Sequence, residues 1–469
     1  MFNSFLSNNR LRIFLTFLCL GSLSLQAQNV APFKENDRVV FLGNSITDGG
    51  HYHSFIWLYY MTRFPTMNFS ILNAGIGGDR VIEMNKRLDG DVFGKRPTVL
   101  ITTFGMNDSG YFEYNDAEAD KFADKKVNET YQAYKEMEKR YQELDGTRIV
   151  LLGSSPYDEE AVIKDNNSLK NKNKAMQRIV DFQKKSAQDN HWEFLDFNDP
   201  MTQLNHANQV KNPSFTLCGN DRVHPDNDGH MVMAYIFLKA QGFAGDKVSF
   251  LTIDADNQKI NKSSNCTVTD LKKSDAGISF SYLAKALPYP LDTLARGWGS
   301  KKSQFDAIKV VPFMQEMNQE LLTVKGLKKG NYNLLIDDQQ IGKWSNQEFE
   351  AGLNLAELSN TPQYQQALRV MYLNEERWEI ERRFRDYAWV QYNFFLPKGL
   401  LDANNRKAIE VLDQHAPNDG WLSAKRDLYA KAMFPEVRQA WEDQMELLLG
   451  SIRKTSIPVE RKISLVRAN

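Results

Sequence analysis

Between Asp37 and Gly242, short apolar runs alternate with longer segments in which apolar residues recur at helical spacing. Most of the short runs are apolar without alternation, as expected of strands in a parallel sheet that is covered on both faces. The predicted strands are RVVFLG (38–43), FSILN (69–73), TVLITTF (98–104), RIVLLG (148–153) and WEFLDF (192–197). Helical patterns occupy 115–145, 168–190 and 227–241. This order predicts a three-layer α/β/α sandwich around a five-stranded parallel sheet.

The pattern changes after Gly245. Residues 246–360 are predicted to be a β-rich accessory region, because strand-like runs are separated there by turn residues. These runs are VSFLTI (248–253), ISFSYL (278–283), LLTVKGL (321–327) and YNLLI (332–336). Residues 361–469 are predicted to be a helical C-terminal region, with helices at 362–395, 402–415 and 421–450. The Lys- and Arg-rich residues from Ser451 onward are interpreted as a solvated tail.

Composition and charge narrow the function classes. Hydrophobic residues make up 42% of the chain and charged residues 25%, which excludes a disordered protein. Lys and Arg number 58 and Asp and Glu 59, so the net charge is -1. No global field therefore attracts the chain to a nucleic acid or an anionic membrane, and we expect no nucleic-acid partner.

The N-terminus resembles a cleavable signal peptide over residues 1–27. Arg10 and Arg12 precede an apolar run, and Ala27 supplies a small residue at the expected cleavage point. The run is shorter than the ~20 residues that span a bilayer. We therefore expect a secreted or periplasmic protein without stable membrane insertion. A buried or membrane-anchoring first helix is the alternative.

Three cysteines are too few for a disulfide framework. Cys19 belongs to the predicted signal peptide. An oxidising compartment would permit Cys218 and Cys266 to pair, and the sequence is equally consistent with two free thiols. No cysteine or histidine spacing typical of a metal site occurs, so we expect no metal.

One serine stands where a nucleophile is expected. Ser45 follows the first predicted strand in GNSIT and opens a helix-like segment, so it lies where open α/β sheets bind ligands. A plain helix cap is the competing interpretation. A serine needs a base, and His224 in DRVHPDNDGH has Asp221 three residues earlier as an orienting carboxylate.

The remaining histidines have less suggestive surroundings. His51 and His53 are interpreted as solvated or pocket-wall side chains and His230 as a packing or surface residue. The others, which have no comparable partner nearby in the sequence, are His191, His206 and His415.

Two further loops supply hydrogen-bond donors for a developing oxyanion. NAGIGGDRV follows the second strand, and its Gly75, Gly77 and Gly78 allow backbone amides to approach a ligand. TTFGMNDSG follows the third strand and offers the side-chain amide of Asn107. Taken singly, glycines in a tight turn and Asn-Asp in a loop are ordinary.

Taken together, these segments resemble the SGNH (GDSL-type) hydrolase family, whose four blocks appear in order over residues 37 to about 242. The resemblance implies a flavodoxin-like SGNH domain over 28–245. It also implies a catalytic set with Ser45 as nucleophile, His224 and Asp221 as its partners, and an oxyanion hole formed by Ser45, Gly78 and Asn107. Asn44 replaces the Asp of the family's name motif, which is not a catalytic group in the family.

The resemblance implies a secreted serine esterase that needs no cofactor. By analogy within the family, we expect it to remove O-acetyl groups from a polysaccharide or oligosaccharide, so its partner would be an acylated carbohydrate. Aromatic residues suited to sugar stacking are Trp298, Trp344, Trp389 and Trp421. The alternatives are a lipase or thioesterase of the same fold, and a catalytically silent glycan-binding protein.

Overall fold

The computed structural model describes residues 30–164, 166–297 and 299–468. The predicted signal peptide, Cys19 and Trp298 lie outside these ranges.

A five-stranded, fully parallel sheet forms the first unit, in the order β2-β1-β3-β4-β5. Its strands are β1 (Arg38–Gly43), β2 (Ser70–Gly75), β3 (Val99–Phe104), β4 (Arg148–Gly153) and β5 (Glu193–Asp196). Successive β1 residues contribute to two different apolar clusters, Val39 and Phe41 to one and Val40 and Leu42 to the other. Because side chains alternate across a strand, both faces of the sheet are covered.

Seven helices belong to this unit. They are α1 (Ser45–Asp48), α2 (Tyr52–Arg63), α3 (Val81–Lys86), α4 (Ala119–Gln142), α5 (Lys172–Asp189), α6 (Asn198–Gln209) and α7 (Asn227–Ala240). Shorter helical turns occupy Leu88–Val92, Phe93–Lys95 and Phe112–Asn115. The predicted α/β/α sandwich is confirmed, with the five strands and the three long helices shifted by a few residues at most at their ends. The helices α2, α3 and α6 were not predicted.

Two packed sheets form the second unit. Their strands are β6 (Ser249–Asp254), β7 (Lys259–Ser264), β8 (Cys266–Ser274), β9 (Gly277–Ala284), β10 (Glu320–Lys325), β11 (Asn331–Ile336), β12 (Gln339–Ser345), β13 (Leu353–Asn354) and β14 (Arg461–Arg467). The sheet orders are β13-β10-β6-β7 and β12-β11-β14-β9-β8. Leu251 and Val324 of the first sheet share one apolar core with Phe280 and Leu334 of the second. The predicted β-rich region is therefore a sandwich of two sheets.

The last strand corrects the prediction of a solvated tail. β14 pairs antiparallel with both β9 and β11 and so lies in the middle of its sheet. Ile463 and Leu465 are fully buried, while the residues between and beside them are not. The charge run misled the prediction, because an alternating strand buries its apolar face whatever charges its other face carries. Strand β14 also lies within 361–469, so that region is not wholly helical.

Further helices lie in both the β-rich region and the C-terminal region. They are α8 (Phe313–Met317), α9 (Asn346–Ala351), α10 (Pro362–Trp389), α11 (Arg406–His415), α12 (Gly420–Ala432) and α13 (Pro435–Ser456). Short 3-10 turns lie at Gln304–Lys309, Leu355–Glu357, Leu396–Lys398 and Ala416–Asn418. α10 begins with Thr361, whose side chain caps the helix, and Pro362, whose fixed φ suits a first turn. A π-helical turn, Val390–Phe395, continues it, so the long helix predicted over 362–395 is confirmed with a change of winding at its end.

Cys218 and Cys266 are free and buried. The Cys218 thiol donates to the Pro156 carbonyl oxygen at 3.1 Å. Within the described ranges, we find no helix that is both long and apolar enough to cross a bilayer. The same ranges contain no cluster of three or more His, Cys, Asp or Glu side chains arranged to hold a metal ion.

Candidate active site

Ser45 lies at the start of α1, one residue after the end of β1. Asn44 caps this helix, because its side-chain oxygen accepts from the Ile46 amide at 3.0 Å. The cap orients a first turn whose amides have no partner within the helix, and Ser45 N–H is one of them. Ser45 is 7% exposed. The change from Asp to Asn at position 44 thus preserves the capping oxygen.

Three side chains form a continuous hydrogen-bonded chain. Ser45 Oγ lies 2.8 Å from His224 Nε2, and His224 Nδ1 lies 2.6 Å from Asp221 Oδ2. A carboxylate accepts only, so Nδ1 carries the proton and Nε2 is the acceptor for the serine hydroxyl. The structure therefore brings together the three residues that the sequence pattern selected, in the arrangement that activates a serine.

The turn before α7 holds the histidine and its carboxylate. Asp221 Oδ1 accepts from the amides of Val223 at 3.0 Å and His224 at 2.9 Å. Arg222 adopts a positive φ of 68° and donates to the carbonyl oxygens of Asp158 and Ala161. Partial burial raises the pKa of Asp221, but hydrogen bonds from the His224 ring and the two amides outweigh it and leave the pKa below its usual value. Asp221 is thus held as the carboxylate.

Gly78 occupies the loop after β2 with a φ of +87°, which favours glycine. A Cβ placed there would meet no atom within 4 Å, so the space beside this residue is open. The Gly78 amide has no hydrogen-bond acceptor among the described residues, whereas the neighbouring Gly77 amide donates to Asp48 Oδ2 at 3.1 Å. Gly78 therefore presents an available backbone donor at the same edge of the sheet as Ser45.

The Asn107 side chain is held at both ends. Its Nδ2 donates to the Asp79 carbonyl oxygen at 3.0 Å, and its Oδ1 accepts from the Tyr111 hydroxyl at 2.7 Å. An amide nitrogen carries two hydrogens, so one remains for a ligand. Because the Tyr111 hydroxyl engages the oxygen, the amide cannot turn over without losing this bond. Asn107 is a second oriented donor.

A buried lysine supports the same loop. Lys172 Nζ donates to Met106 O at 2.7 Å, Ser109 Oγ at 2.6 Å and Gly110 O at 2.5 Å. The ammonium also lies 4.0 Å from the centre of the Tyr111 ring. Burial lowers the pKa of Lys172 to about 7. Sequence reasoning did not select Lys172 or Tyr111; the position of Tyr111 four residues after Asn107 is the signal that was available.

Asp48 joins α1 to the loop between β2 and α3, residues 76–80, which is called the glycine loop below. Its carboxylate accepts from the Gly77 amide, and its carbonyl oxygen accepts from Asn73 Nδ2 at 3.0 Å. Complete burial raises the pKa of Asp48 to about 6. Asp48 was not predicted as a site residue, because nothing in the local pattern distinguishes a buried carboxylate from a helix-capping one.

The histidines beside α1 are buried, which corrects the interpretation of them as solvated side chains. His53 Nε2 lies 3.1 Å from the Thr47 carbonyl oxygen, and burial lowers the His53 pKa to about 4. His51 is 2% exposed and stacks on Trp378 with ring centres 4.1 Å apart. His230 is buried and stacks on Tyr52, as expected of a packing residue.

The predicted sugar-stacking tryptophans are scattered. Trp389 reaches the glycine loop, where its indole N–H donates to Gly77 O at 3.3 Å. Trp421 is exposed, and the Lys425 ammonium lies 5.6 Å from the ring centres of both Trp389 and Trp421. Trp344 lies on β12 and packs against the core of the second unit instead. Trp389 is thus the tryptophan whose contact with the candidate site is observed.

Two family profiles match this chain. The GDSL-like Lipase/Acylhydrolase family matches residues 41–232, a range that contains all the site residues selected from the sequence. The Diltiazem deacetylase C-terminal helical domain matches residues 368–456, within the region of α10 to α13.

Known proteins resemble the chain over different lengths. The solved structure of a gut microbial diltiazem-metabolizing enzyme is 60% identical, with a TM-score of 0.93, and the match covers 94% of this chain and 100% of that one. An acetylxylan esterase from Geobacillus stearothermophilus is 23% identical over 228 residues, which is 44% of this chain and 94% of the esterase. A crystal structure of an acetylxylan esterase from the same organism gives 22% identity and a TM-score of 0.37, covering 45% of this chain and 96% of that one.

Proposed function

This chain belongs to the GDSL-like lipase/acylhydrolase (SGNH) family and is a carboxylic ester hydrolase, and from that premise we propose that it removes acetyl groups from acetylated alcohols through an acyl-enzyme on Ser45. The observation that carries this proposal is the hydrogen-bonded chain from Ser45 Oγ through the His224 ring to Asp221. A hydroxyl, an acceptor nitrogen and an orienting carboxylate in series are the parts that nucleophilic acyl transfer requires.

In the first half of the reaction, Ser45 Oγ attacks the ester carbonyl carbon while its proton passes to His224 Nε2. The carbonyl oxygen gains a negative charge, and the amides of Ser45 and Gly78 and the side chain of Asn107 donate to it. When the tetrahedral intermediate collapses, the bond from carbon to the alcohol oxygen breaks. The imidazolium proton goes to that oxygen, which leaves as a neutral alcohol.

In the second half, water replaces the alcohol. Its proton passes to His224 Nε2 while its oxygen attacks the acyl carbon, and the same donors hold the new oxyanion. The bond to Ser45 Oγ then breaks, the serine regains its proton, and acetic acid is released. Asp221 keeps the imidazole in one tautomer and stabilises its charged form throughout.

Ser45→Ala tests the nucleophile. We expect the variant to fold with unchanged thermal stability and to lose hydrolysis of p-nitrophenyl acetate. A fluorophosphonate probe should label Ser45 in the unmodified chain, which mass spectrometry of the tryptic peptide detects, and it should leave the variant unlabelled. An undiminished rate in the variant contradicts the assignment.

The alcohol is proposed to be a carbohydrate or another small acetylated molecule. Similarity to the acetylxylan esterase favours a carbohydrate O-acetyl group as the substrate, whereas the higher similarity to the diltiazem-metabolizing enzyme favours a drug-sized ester. Acetate release from acetylated xylo-oligosaccharides and from diltiazem, measured as kcat/KM on one preparation, discriminates between them.

Two alternatives have distinct outcomes in the same assay. Faster turnover of p-nitrophenyl palmitate than of the acetate supports a lipase. Binding of an acetylated glycan without release of acetate supports a catalytically silent binding protein.

Export is part of the proposal, because residues 1–27 have the charge and apolar pattern of a signal peptide. Expression of the full chain in a bacterial host, followed by N-terminal sequencing of the periplasmic fraction, tests this. An intact Met1 terminus on protein confined to the cytoplasm contradicts it.

A further inference from the structure

In the part of the chain that the structure describes, no strand pairs with the outer side of β2, which is the edge of its sheet. An edge strand leaves backbone N–H and C=O groups without strand partners, and proteins commonly cover such edges. Here the cover is α10, from the C-terminal helical region more than 280 residues away along the chain. The side chains of this helix bond directly to the backbone of β2 and of the loop that follows it.

The contacts form a regular ladder. Glu381 Oε1 accepts from the Asn73 amide at 2.7 Å. Arg385 Nε donates to Gly75 O at 2.8 Å. One helical turn later, the next side chain, Trp389, donates to Gly77 O at 3.3 Å.

Geometry explains the spacing of the ladder. Four helical residues advance about 6 Å, and two extended residues advance about 6.6 Å. Each turn of α10 therefore meets every second residue of β2 and its loop, and those residues are the ones whose backbone groups point outward. The ladder runs past the end of the strand and continues into the glycine loop.

The last of these contacts, from Trp389 to Gly77 O, acts on the peptide unit that contains the Gly78 amide. The carbonyl of Gly77 and the amide of Gly78 belong to one planar peptide unit, so fixing one fixes the direction of the other. With the indole N–H of Trp389 on Gly77 O, the Gly78 N–H points to the opposite side, away from α10. A hydrogen bond to the carbonyl oxygen also polarises the amide and strengthens its N–H as a donor.

The turn around this peptide is closed by the Asp79 amide donating to Ile76 O at 3.2 Å, and within the described residues the indole of Trp389 is the one hydrogen-bond partner of the Gly77–Gly78 peptide unit itself. Both flanking residues are glycines, and glycine allows a peptide plane to turn over at little cost. The Gly77 amide is held by Asp48, but that group belongs to the preceding peptide unit. The orientation of the Gly78 donor therefore depends on Trp389.

A buried charge network anchors the helix that carries this tryptophan. Arg385 binds both carboxylate oxygens of Asp91, at 2.8 and 2.6 Å. Asp91 also accepts from Arg87 at 2.5 Å, and Arg87 donates to Ala74 O at 2.8 Å and to Asp79 Oδ2 at 2.7 Å. Side chains of α10 contact the glycine loop and the end of β2 from one side, and Arg87 contacts them from the other.

We propose that Trp389, at the end of α10, is a positioning residue, holding the Gly77–Gly78 peptide so that the Gly78 N–H faces the oxyanion. This rests on the proposed ester hydrolysis at Ser45. The indole does not need to touch the reacting atoms for this role.

Trp389→Phe tests the proposal in the full-length chain, since it removes the indole N–H and keeps an aromatic ring. The expected loss is roughly 3- to 10-fold in kcat on p-nitrophenyl acetate, the effect of one hydrogen bond, with KM unchanged. Affinity for a boronic acid, which forms a tetrahedral adduct with the serine and places an oxygen at the oxyanion position, should fall by the same factor. If Trp389 only stabilised the fold, kcat and the affinity for the boronic acid would not fall by the same factor.

Trp378→Phe is the matched control. Trp378 lies on the same helix and is 1% exposed, and its indole nitrogen has no hydrogen-bond partner in the described part of the chain. We expect it to lower thermal stability at unchanged kcat. Equal kcat losses in the two variants overturn the proposal, and so does a Trp389→Phe enzyme with unchanged kcat and boronate affinity.

A second variant guards against a folding defect. Replacing the Trp389 indole by its benzothiophene isostere, incorporated as a non-natural amino acid, removes the N–H alone. The same fall in kcat supports the proposal, and a wild-type kcat overturns it. Failure of the proposed function is separately visible, because it appears as undiminished turnover in Ser45→Ala.

Discussion

Removing the Tyr111 hydroxyl should weaken the proposed oxyanion hole without changing any group that is proposed to contact the substrate. The hydroxyl donates to Asn107 Oδ1 at 2.7 Å and is the contact that prevents the amide from turning over. In Tyr111→Phe the aromatic ring remains, and so does its contact with the Lys172 ammonium. Only the orientation of the Asn107 donor should change.

The expected size follows from one hydrogen bond. Such a bond contributes about 0.5 to 1.5 kcal/mol net, so kcat should fall by roughly 2- to 13-fold. Deleting the donor outright by Asn107→Ala should cost more, about 10²- to 10³-fold. The Tyr111→Phe rate must therefore lie between those of the wild type and Asn107→Ala.

Steady-state kinetics on p-nitrophenyl acetate, with thermal melting as a check on folding, gives the comparison. Tyr114→Phe is the matched control, because its hydroxyl donates to Ser109 O at 2.7 Å in the same loop and does not contact Asn107. It should leave kcat within about twofold. In the Asn107→Ala background, Tyr111→Phe should have no further effect. An equal loss in both backgrounds refutes the reasoning.

Three further predictions concern the catalytic carboxylate, a buried titrating group and the last strand. Asp221→Asn should lower kcat by roughly 10²- to 10⁴-fold at similar KM, because an amide no longer enforces the tautomer of the imidazole; a change below twofold would exclude Asp221 from the mechanism. Burial raises the pKa of Asp48 from 3.8 to about 6. The protonated carboxyl therefore contributes to the free energy of unfolding at low pH, and this contribution is lost as the pH rises through 6. Asp48→Asn, which keeps an acceptor for Gly77, should therefore gain stability over the wild type by ~2 kcal/mol between pH 4 and pH 7 in urea melts, and a pH-independent difference would disprove the assignment. Deleting β14 removes two fully buried side chains, Ile463 and Leu465, which should destabilise the second unit by about 3 to 6 kcal/mol; trimming Asn469 alone is the control, and equal melting curves would refute the inserted position of the strand.

The hydrogen-bonded chain of Ser45, His224 and Asp221 was accessible from the sequence because Ser45 follows a predictable strand and the other two residues are local neighbours. Apolar runs without alternation identify the parallel strands, and in a parallel sheet their carboxyl ends meet at one edge. Ser45 and Asn107 follow such strands directly, so their proximity needed only the topology. Asp221 and His224 are local neighbours whose turn carries its own hydrogen bonds.

The residues that orient the donors were not accessible in this way. Tyr111 is close in sequence to Asn107, but a tyrosine in a loop has many ordinary roles. Lys172 comes from a helix more than 60 residues further on and is satisfied by three backbone or side-chain oxygens. Its buried position depends on how the layers pack, which periodicity does not report.

By itself, the sequence determined the α/β/α sandwich, the order of its strands along the chain and the residues of the Ser45, His224 and Asp221 chain. Local patterns suffice for these features, since the burial of a strand and the conformation of a turn depend on residues that are neighbours in the sequence. Only the tertiary structure decided that β14 inserts between β9 and β11 and that α10 covers the open edge of β2. Both are contacts between segments far apart in the chain, where backbone groups left unpaired by one segment are satisfied by another, and no local pattern specifies that partner.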